Sequence, residues 1–322
     1  MTDLTVYLTQ DDVARALRSD VLTGLTATPK TLPPKWFYDA RGSELFERIT
    51  RLPEYYPTRA EREVLADRAD EIATLTGAHT LVELGSGSSE KTRLLLDALR
   101  RNASLREIVA LDVSDAALSA SVAVLREAYA PATVHGVVGD FTRHLALLPG
   151  DVPRLVAFLG GTIGNLVPAE RAKFLTALRD NLQVGEWLLL GTDLVKDPAT
   201  LVAAYDDAQG VTAEFNRNVL HVLNRELSAD FDTSSFAHVA RWNEQEEWIE
   251  MHLRATRDME VHIRELDLTV PFAAGEELHT EISAKFRPAR VSAELAEAGF
   301  ELAKWWTDRQ GRFGVSLARA VA

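Results

Sequence analysis

The sequence predicts an α/β fold in which a doubly wound domain carries a second, inserted α+β domain, and three observations support this fold class. Between residues 80 and 190, short apolar strands alternate with helical patterns, as in βαβ units that form a parallel sheet covered on both faces. A glycine-rich turn follows the first of these strands, at the edge where open α/β sheets bind ligands. The alternation stops after residue 197 and returns near residue 291, which indicates an insertion.

The first 59 residues show no regular pattern and contain proline-flanked aromatic clusters at 33–39 and 55–57. Thr58 and Glu61 then have the spacing of a capping box. They predict the start of a helix that ends at Gly77, because glycine commonly terminates helices.

The doubly wound part follows this helix. The predicted strands span residues 80–84, 108–113, 133–138, 155–159 and 187–190, and the predicted helices span residues 90–101, 115–129 and 168–182. Short apolar strands separated by longer amphipathic segments are typical of a parallel sheet with helices on both faces.

The rest of the chain does not continue this alternation of strands and helices. Residues 248–254 and 261–270 alternate apolar and polar side chains like antiparallel strands. Near the C-terminus, a predicted helix over 291–298 ends at Gly299, and residues 300–307 and 313–318 form a hairpin around a turn at 309–311. We therefore expect one domain of residues 60–195 plus 286–322 and a second domain of residues 1–59 plus 196–285.

Composition excludes several kinds of site and partner. The chain of 322 residues has no cysteine, which excludes disulfides, thiolate metal sites and cysteine nucleophiles. Its 48 acidic and 35 basic residues give a net charge of −13, which disfavours nucleic acid as a partner. The eight histidines lack metal-ligand spacing, so we expect no metal. The sequence shows neither a signal peptide nor a long apolar run, so we expect a cytoplasmic protein without a membrane span.

The glycine-rich turn, Leu81-Val-Glu-Leu-Gly-Ser-Gly-Ser-Ser-Glu-Lys-Thr92, has three interpretations. A dinucleotide fingerprint and a phosphate-binding P-loop both require glycine where this chain has Glu90, whose carboxylate would also repel a phosphate. The third interpretation is a loop for S-adenosylmethionine (SAM), in which an acidic residue, here Glu83, precedes the pair Gly85 and Gly87. SAM is a sulfonium cation without pyrophosphate, so carboxylates are compatible with it. A purely structural turn remains an alternative.

Two further strand ends favour the SAM interpretation. Asp112 ends the second predicted strand, 27 residues after Gly85, where a carboxylate can accept hydrogen bonds from both ribose hydroxyls. Asp140 and Phe141 follow the third predicted strand, where the carboxylate can accept from the adenine amino group and the ring can pack on adenine. Each residue alone could be a helix cap or a core aromatic, but suitable groups at three strand ends together predict SAM binding.

Several polar residues are candidates for binding a substrate, and each has a structural alternative. Asn165, in the glycine-rich segment 160–166, can hold an amine and a carboxylate or simply form a turn. Tyr38, Tyr55 and Tyr205 either pack in the protein interior or present hydroxyls and ring faces to a polar substrate and a cationic methyl donor. Tyr205 is predicted to lie on an amphipathic helix.

Glu281 and Ser283 are two residues apart, so in a strand their side chains point to the same face. They form either an exposed polar face or a pair of groups that each bond one nitrogen of an imidazole.

Seven segments of the chain resemble the histidine-specific Nα-methyltransferases of ergothioneine biosynthesis, also called histidine betaine or hercynine synthases. They include Leu32-Pro-Pro-Lys-Trp-Phe-Tyr-Asp39 and Gly161-Thr-Ile-Gly-Asn-Leu166, and the others are 51–59, 81–92, 190–197, 213–220 and 281–288. The segments extend over nearly the whole chain and include the insertion, which ordinary methyltransferases lack.

The resemblance implies a Rossmann-like class I SAM-dependent methyltransferase domain with an inserted α+β substrate-binding domain, in a protein that is mostly monomeric. It implies that three methyl groups pass from SAM to the α-amino nitrogen of L-histidine. The residues that match SAM contacts are Gly85, Lys91, Asp112, Asp140 and Phe141.

The resemblance also implies a set of contacts to histidine. The matching residues are Phe46, Tyr55, Gly160, Thr162, Asn165, Tyr205, Met251, Glu281 and Ser283. Among them, Glu281 and Ser283 would bind the imidazole and Asn165 the amine. Tyr38 would lie near the reacting nitrogen, which makes Tyr38 and Asn165 the implied catalytic residues.

Three other functions remain open from the sequence. The chain could be a methyltransferase for another amino acid or small amine, a nucleotide hydrolase of the P-loop type, or a SAM-binding module without catalysis. Glu90 disfavours the hydrolase. The other two functions are distinguished from a histidine Nα-methyltransferase only by assay.

Overall fold

A computed structural model of the chain describes residues 4–87, 91–149 and 153–322. Within them, the helices are α1 Gln10–Thr26, α2 Ala40–Ile49, α3 Pro57–Thr76, α4 Thr92–Arg101, α5 Asp115–Tyr129, α6 Pro168–Asp180, α7 Pro198–Ala203, α8 Val211–Glu226 and α9 Pro288–Glu297. The strands are β1 Leu4–Val6, β2 Lys30–Thr31, β3 Thr80–Leu84, β4 Glu107–Asp112, β5 Thr133–Val138, β6 Arg154–Phe158, β7 Trp187–Asp193, β8 Phe236–Asn243, β9 Trp248–Ala255, β10 Met259–Ile263, β11 Leu268–Phe272, β12 Glu277–Ala284, β13 Phe300–Thr307 and β14 Phe313–Ala320. No helix in these ranges is long and apolar enough to cross a membrane.

The chain forms two compact units. The first contains Met1–Leu8, Pro57–Val195 and Lys285–Ala322, and the second contains Thr9–Tyr56 and Lys196–Ala284. Strand β1 therefore belongs to the first unit, whereas the sequence analysis placed this part of the chain in the second domain. The strand has only three residues, too few to show a periodic pattern, and it is recognisable by its parallel pairing with β5.

The first unit is built on an eight-stranded sheet with the order β1-β5-β4-β3-β6-β7-β14-β13. The strands from β1 to β7 in this order pair in parallel, and β14 runs antiparallel to both of its neighbours. The chain runs outward from β3 through β4 to β5 and then crosses back to β6, so the strand order reverses between β3 and β6. This confirms the predicted α/β fold class. In open sheets of this kind, ligands bind outside the carboxyl ends of the strands where the order reverses.

The predicted strands of this sheet differ from the observed ones mainly at their ends. Strand β7 continues to Asp193, beyond the predicted end at residue 190, because its last residues pair with β14 as far as Phe313. Gly191 and Thr192 interrupt the apolar run and conceal this extension in the sequence. Helix α4 is observed from Thr92, and its predicted start at Glu90 lies outside the described residues.

Helix α3 begins at Pro57, a residue that favours the first turn of a helix. The predicted capping box is wrong, because Thr58 lies inside the helix and the Glu61 carboxylate bonds to Gly160 and Lys91 instead of the helix start. The predicted end is confirmed, since Gly77 follows the helix with a φ of +51°.

The second unit contains a four-stranded sheet with the order β2-β12-β9-β8 and a separate hairpin of β10 and β11. Strand β9 is antiparallel to both β8 and β12, and β2 pairs in parallel with β12. The single strand predicted over 261–270 is wrong. A 3₁₀ turn at Arg264–Leu266 and a left-handed Asp267, with a φ of +47°, reverse the chain between β10 and β11.

Helices α1 and α2 lie in a part of the chain where the sequence analysis found no regular pattern. Thr9 and Asp12 form a capping box at the start of α1. Leu17, Val21 and Leu25 are buried along one face of this helix, with helical spacing. Both signals are readable in the sequence, but the neighbouring prolines and aromatics obscure them.

Candidate active site

The predicted site residues of the first unit lie at the carboxyl ends of β3, β4, β5 and β6. Gly85 and Gly87 follow β3 with φ values of +72° and +47°, and a Cβ atom on either would meet nothing within 4 Å. Glycine adopts this left-handed backbone without steric cost and leaves room for a ligand beside the turn. Ser88, Ser89 and Glu90 of the same turn lie outside the described residues.

Glu83 and Thr92 join the two ends of the glycine-rich turn. The Glu83 carboxylate is buried at the end of β3 and accepts a hydrogen bond from the Thr92 hydroxyl at the start of α4. Glu83 therefore ties the strand to the helix behind the turn, a structural task for the acidic residue that the loop pattern singled out.

Asp112, the last residue of β4, holds two backbone segments at this edge. Its Oδ2 accepts a hydrogen bond from the Gly87 N–H at 2.9 Å, and its Oδ1 accepts one from the Ser114 N–H at 3.0 Å. A carboxylate offers about four lone-pair sites. Asp112 can therefore hold the glycine turn and still accept hydrogen bonds from a ligand such as a ribose.

Asp140 and Phe141 follow β5. The Asp140 Oδ1 accepts hydrogen bonds from the Thr142 hydroxyl at 2.6 Å and from the Thr142 N–H at 2.8 Å. Phe141 is half-buried, and its ring packs against Phe158 and Phe174 at centroid distances of 5.0 and 5.6 Å. The core thus fixes the ring while part of it stays accessible, as packing on a purine requires.

The segment after β6 begins with two left-handed glycines. Gly160 and Gly161 have φ values of +80° and +71°, and the 3₁₀ turn Thr162–Asn165 follows them. The Thr162 hydroxyl donates to the Leu159 carbonyl at 3.2 Å. This turn places the half-buried Asn165 beyond the end of β6, next to the reversal in strand order.

Glu61 of α3 is a site residue that the sequence analysis missed. Its side chain is fully buried, its two oxygens accept the Gly160 N–H at 2.8 and 3.0 Å, and it pairs with the Lys91 ammonium. Gly191 of β7 provides the space, because a Cβ there would lie 2.1 Å from Glu61 Oε1. One signal was present in the sequence: Glu61 precedes Leu65 by four residues on the apolar stripe of α3, where a charged side chain needs a partner.

The predicted site residues of the second unit lie around one face of its four-stranded sheet. Glu281 of β12 pairs with Met251 of β9, and Ser283 pairs with Ile249. Directly opposed residues of an antiparallel pair point to the same face. Glu281 and Ser283 therefore share a face, and a β-bulge between His279 and Glu281 sets the register that puts them there.

A buried hydrogen-bond network holds this bulge. The Thr280 hydroxyl lies 2.7 Å from Asn216 Oδ1 and 3.0 Å from the Met251 carbonyl oxygen. Asn216 Nδ2 donates to the His252 carbonyl at 3.1 Å and lies 2.9 Å from His238 Nδ1. Both Asn216 and Thr280 are almost fully buried, so the network fixes the strand from within the unit.

Tyr205 lies in the turn after α7 and not inside a helix, so its predicted placement on an amphipathic helix is wrong. Asp207 follows in the same connecting segment, and its carboxylate accepts a hydrogen bond from the Val211 N–H at the start of α8 at 3.0 Å. The Tyr205 hydroxyl lies 2.7 Å from Ser283 Oγ, and the Tyr205 carbonyl lies 2.8 Å from His238 Nε2. Burial lowers the pKa of His238, so a neutral ring can donate from Nε2 to this carbonyl.

An aromatic cluster adjoins these groups within the second unit. Its rings belong to Tyr38, Phe46, Tyr55, Tyr205 and Phe215, with neighbouring centroids 5.4 to 6.2 Å apart. Tyr38 is 37% exposed, whereas Tyr55 and Tyr205 are each 8% exposed. These contacts are edge-on except for the tilted pair Phe46 and Phe215. Such packing fixes ring orientation, and ring faces attract cationic groups such as quaternary ammonium.

Asn218 of α8 supports the turn that carries Tyr38. Its Nδ2 donates to the Phe37 carbonyl at 3.0 Å and to Asp39 Oδ1 at 2.7 Å, and the side chain is fully buried. Asn218 therefore holds both Phe37 and Asp39, the residues on either side of Tyr38. Asn216 and Asn218 fall in a segment that the resemblance included, but nothing in their spacing predicts these contacts.

The opposite face of this sheet carries a stacked histidine pair. The rings of His252 on β9 and His279 on β12 lie 4.8 Å apart, and burial lowers the pKa of both. Charged neighbours on this face partly offset one another. They are Glu250, Glu277, Arg241 and Arg254, of which the arginines pair with Glu277.

We expect the stability of the protein to fall on mild acidification. Burial puts the folded-state pKa of His221, His238, His252 and His279 below the unfolded value of about 6.5. Between the folded and unfolded values the unfolded chain binds more protons, so the free energy of unfolding decreases as pH falls from about 7.5 to about 5.5.

Thermal unfolding followed by circular dichroism over this pH range measures the decrease. A double variant, His252→Gln with His279→Gln, is expected to lose less Tm than the wild type on acidification. His262→Gln is the matched control, since His262 is more than half exposed. A decrease in the double variant as large as in the wild type would show that the stacked pair does not contribute.

The predicted site residues thus form two sets. The first unit brings together Gly85, Lys91, Asp112, Asp140, Phe141, Gly160, Thr162 and Asn165 at the carboxyl ends of its parallel strands, and the second unit brings together Tyr38, Phe46, Tyr55, Tyr205, Met251, Glu281 and Ser283 around one sheet face. No cluster of three or more metal-ligating side chains is found among the residues that the structure describes.

Comparison with known proteins bears on the chemistry of these groups. The chain is 60% identical over 312 residues to a histidine N-alpha-methyltransferase of Mycolicibacterium smegmatis, with 97% of each chain covered. It is 59% identical over 312 residues to the Mycobacterium tuberculosis protein of the same name, again with 97% of each chain covered. An ergothioneine biosynthesis protein 1 of Neurospora crassa is 35% identical over 201 residues, which are 61% of this chain and 23% of that protein.

A family model described as histidine-specific, SAM-dependent methyltransferase matches residues 17–320. This match extends through both units and agrees with the doubly wound sheet and its glycine-rich turn. The chain therefore belongs to the family of SAM-dependent, histidine-specific methyltransferases.

Proposed function

We propose that this chain transfers three methyl groups from SAM to the α-amino nitrogen of L-histidine and so forms Nα,Nα,Nα-trimethyl-L-histidine (hercynine), an early step of ergothioneine biosynthesis. The family match over residues 17–320 is the observation that carries the proposal. Near-full-length relatives named for histidine and a partial relative named for ergothioneine support the substrate and the pathway. The proposal also includes a monomeric state, as the resemblance implies, and a cytoplasmic location.

The first unit offers groups that fit SAM, whose sulfonium supplies an electrophilic methyl group. The open backbone at Gly85 and Gly87 accommodates a ligand. We assign the ribose hydroxyls to Asp112 and the adenine to Asp140 and Phe141. A methyl transfer is an in-line displacement, so the main contribution of these residues is to hold the donor in a fixed orientation.

The second unit offers groups that fit the parts of histidine that stay constant during three transfers. We assign the imidazole to Glu281 and Ser283. Tyr55, Tyr205 and Asn165 are the residues proposed for the carboxylate and the amine, as the resemblance implies. Each added methyl removes one N–H, so recognition must depend on the imidazole and the carboxylate. The aromatic cluster suits the quaternary ammonium that the third transfer creates.

The reacting nitrogen has to lose one proton before each of the three transfers, because a protonated amine has no lone pair to accept the methyl group. A free α-amino group has a pKa of about 8, so a strong base is unnecessary. Tyr38 is the proposed path for this proton, directly or through a water molecule, because it is partly exposed and held by its neighbours. Asn165 is proposed to orient the amine.

Tyr38→Phe is expected to slow methyl transfer by about tenfold or more near neutral pH, because the proton path is lost. The deficit should shrink at high pH, where the free amine is already deprotonated. Single-turnover rates across pH, measured with saturating SAM, test this. Tyr7→Phe serves as a matched control, since the Tyr7 hydroxyl makes a long contact with the Leu147 carbonyl at an exposed position. Wild-type rates for Tyr38→Phe at every pH would exclude the assigned role.

The proposed function is tested by mass spectrometry of L-histidine and a panel of other amino acids after incubation with the protein and SAM. Trimethylhistidine from histidine alone would support reaction, substrate and number of transfers together. Methylation of another amine in place of histidine would overturn the substrate. SAM binding without any product would indicate a non-catalytic module.

A further inference from the structure

A buried ion pair lies at the edge where the proposed function places SAM. Glu61 is completely inaccessible, whereas the Lys91 side chain, its partner, is 25% exposed. The two charges cancel locally. Lys91 is also the residue directly before α4, and it follows the glycine-rich turn in the chain.

The surrounding backbone is adapted to this pair. A Cβ on Gly160 would lie 3.6 Å from Lys91 Nζ, which places the ammonium next to the end of β6. A Cβ on Gly191 would overlap Glu61 Oε1. Two glycines thus allow a carboxylate and an ammonium to meet beside the reversal of strand order, where ligands of such sheets bind.

The ion pair of Glu61 and Lys91 is expected to affect ligand affinity, because SAM and its product differ in charge. SAM carries a carboxylate, an ammonium and a sulfonium, whereas its product S-adenosylhomocysteine lacks the sulfonium and is one unit less positive. An unpaired Lys91 would attract the carboxylate of either ligand, but it would also repel the sulfonium of SAM.

We infer that Glu61 is a positioning residue that supplies the counter-charge of Lys91 and thereby preserves affinity for the cationic methyl donor relative to its neutral product. The inference rests on the proposed use of SAM at this edge. Through the Gly160 N–H, Glu61 also fixes the start of the segment that carries Asn165. A purely structural brace would affect both ligands alike, so their affinity ratio separates the two roles.

Isothermal titration calorimetry with SAM and with S-adenosylhomocysteine measures this ratio. Glu61→Gln, which is nearly isosteric, is expected to lower the preference for SAM by about threefold or more, the order expected for one unit charge near a protein surface. Lys91→Met is expected to weaken both ligands but to raise the relative preference for SAM. The double variant should return the ratio toward that of the wild type.

Glu71→Gln is the matched control, because Glu71 lies on the same helix and its ion pairs with Arg68 and Lys304 are exposed. Its affinity ratio should equal that of the wild type. Equal weakening of both ligands by Glu61→Gln, or an unchanged ratio in Lys91→Met, would overturn the inference. If Glu61→Gln does not fold, as judged by circular dichroism, the ratio in Lys91→Met decides alone. Failure of the wild type to bind either ligand would instead refute the proposed function.

Discussion

Asp112→Ala is expected to weaken binding of SAM by about 100-fold or more, since two hydrogen bonds from ribose hydroxyls to a carboxylate would be lost and each contributes about 1.5–3 kcal/mol. The substitution also releases the Gly87 N–H, which Asp112 holds at 2.9 Å. S-adenosylhomocysteine has the same ribose, so its affinity should fall by a similar factor. Calorimetric titration with both ligands measures the effect.

Asp112→Asn separates the two contributions. The amide oxygen can still accept one hydrogen bond. We therefore expect an affinity for SAM between that of the wild type and that of the alanine variant. Asp180→Ala, an exposed substitution at the end of α6, is the control for nonspecific effects of charge removal. Wild-type affinity in Asp112→Ala would mean that SAM is bound elsewhere or without its ribose held at β4.

Glu281→Ala is expected to reduce kcat/KM for histidine by about 10- to 100-fold, because an imidazole N–H would lose a charged acceptor that contributes about 1.5–3 kcal/mol. Amino acids without an imidazole do not use this acceptor, so their kcat/KM should change little. The preference for histidine should therefore narrow, which a competition assay with mixed amino acids and mass spectrometric detection measures directly.

Glu260→Ala provides the matched control, since Glu260 is an exposed strand residue of the same unit. Its preference for histidine should equal that of the wild type. Glu281→Gln tests whether charge or shape matters, because the amide keeps one acceptor without the charge. An unchanged preference in Glu281→Ala would assign imidazole recognition to other residues.

The parallel sheet of the first unit was largely predictable because its strands are buried on both faces. Strands β3 and β5 have their predicted bounds, and each is a short run of mostly buried side chains. Elements that are defined by pairing and not by periodicity were missed. Strand β1 has three residues, and strand β8 shows mostly half-buried positions without clean alternation. The turn between β10 and β11 depends on a left-handed Asp267 that no spacing predicts.

The part of the candidate site that lies at the ends of parallel strands was predictable from the sequence. In a parallel sheet, residues that follow successive strands meet at one edge, which brings Gly85, Asp112 and Asp140 to the same side without knowledge of tertiary contacts. Glu61 was misread because the spacing from Thr58 to Glu61 is the same whether the helix starts at Thr58 or at Pro57. Its actual partners, Gly160 and Lys91, are distant in sequence.

The bulge in β12 changes which residues of the strand point to a given face of the sheet. Before it, the even-numbered Leu278 packs on the same face that the odd-numbered Glu281 and Ser283 occupy after it. Point changes at the odd positions can alter what that face recognises while the register and the core at Leu278 stay intact. Deletion of Thr280 would remove the extra residue of the bulge and leave Glu281 opposite Met251, whereas deletion of one residue after the bulge, such as Ile282, would move Ser283 to the other face. Ligand preference in this strand is therefore free to diverge by substitution but is strongly constrained against changes in length after the bulge.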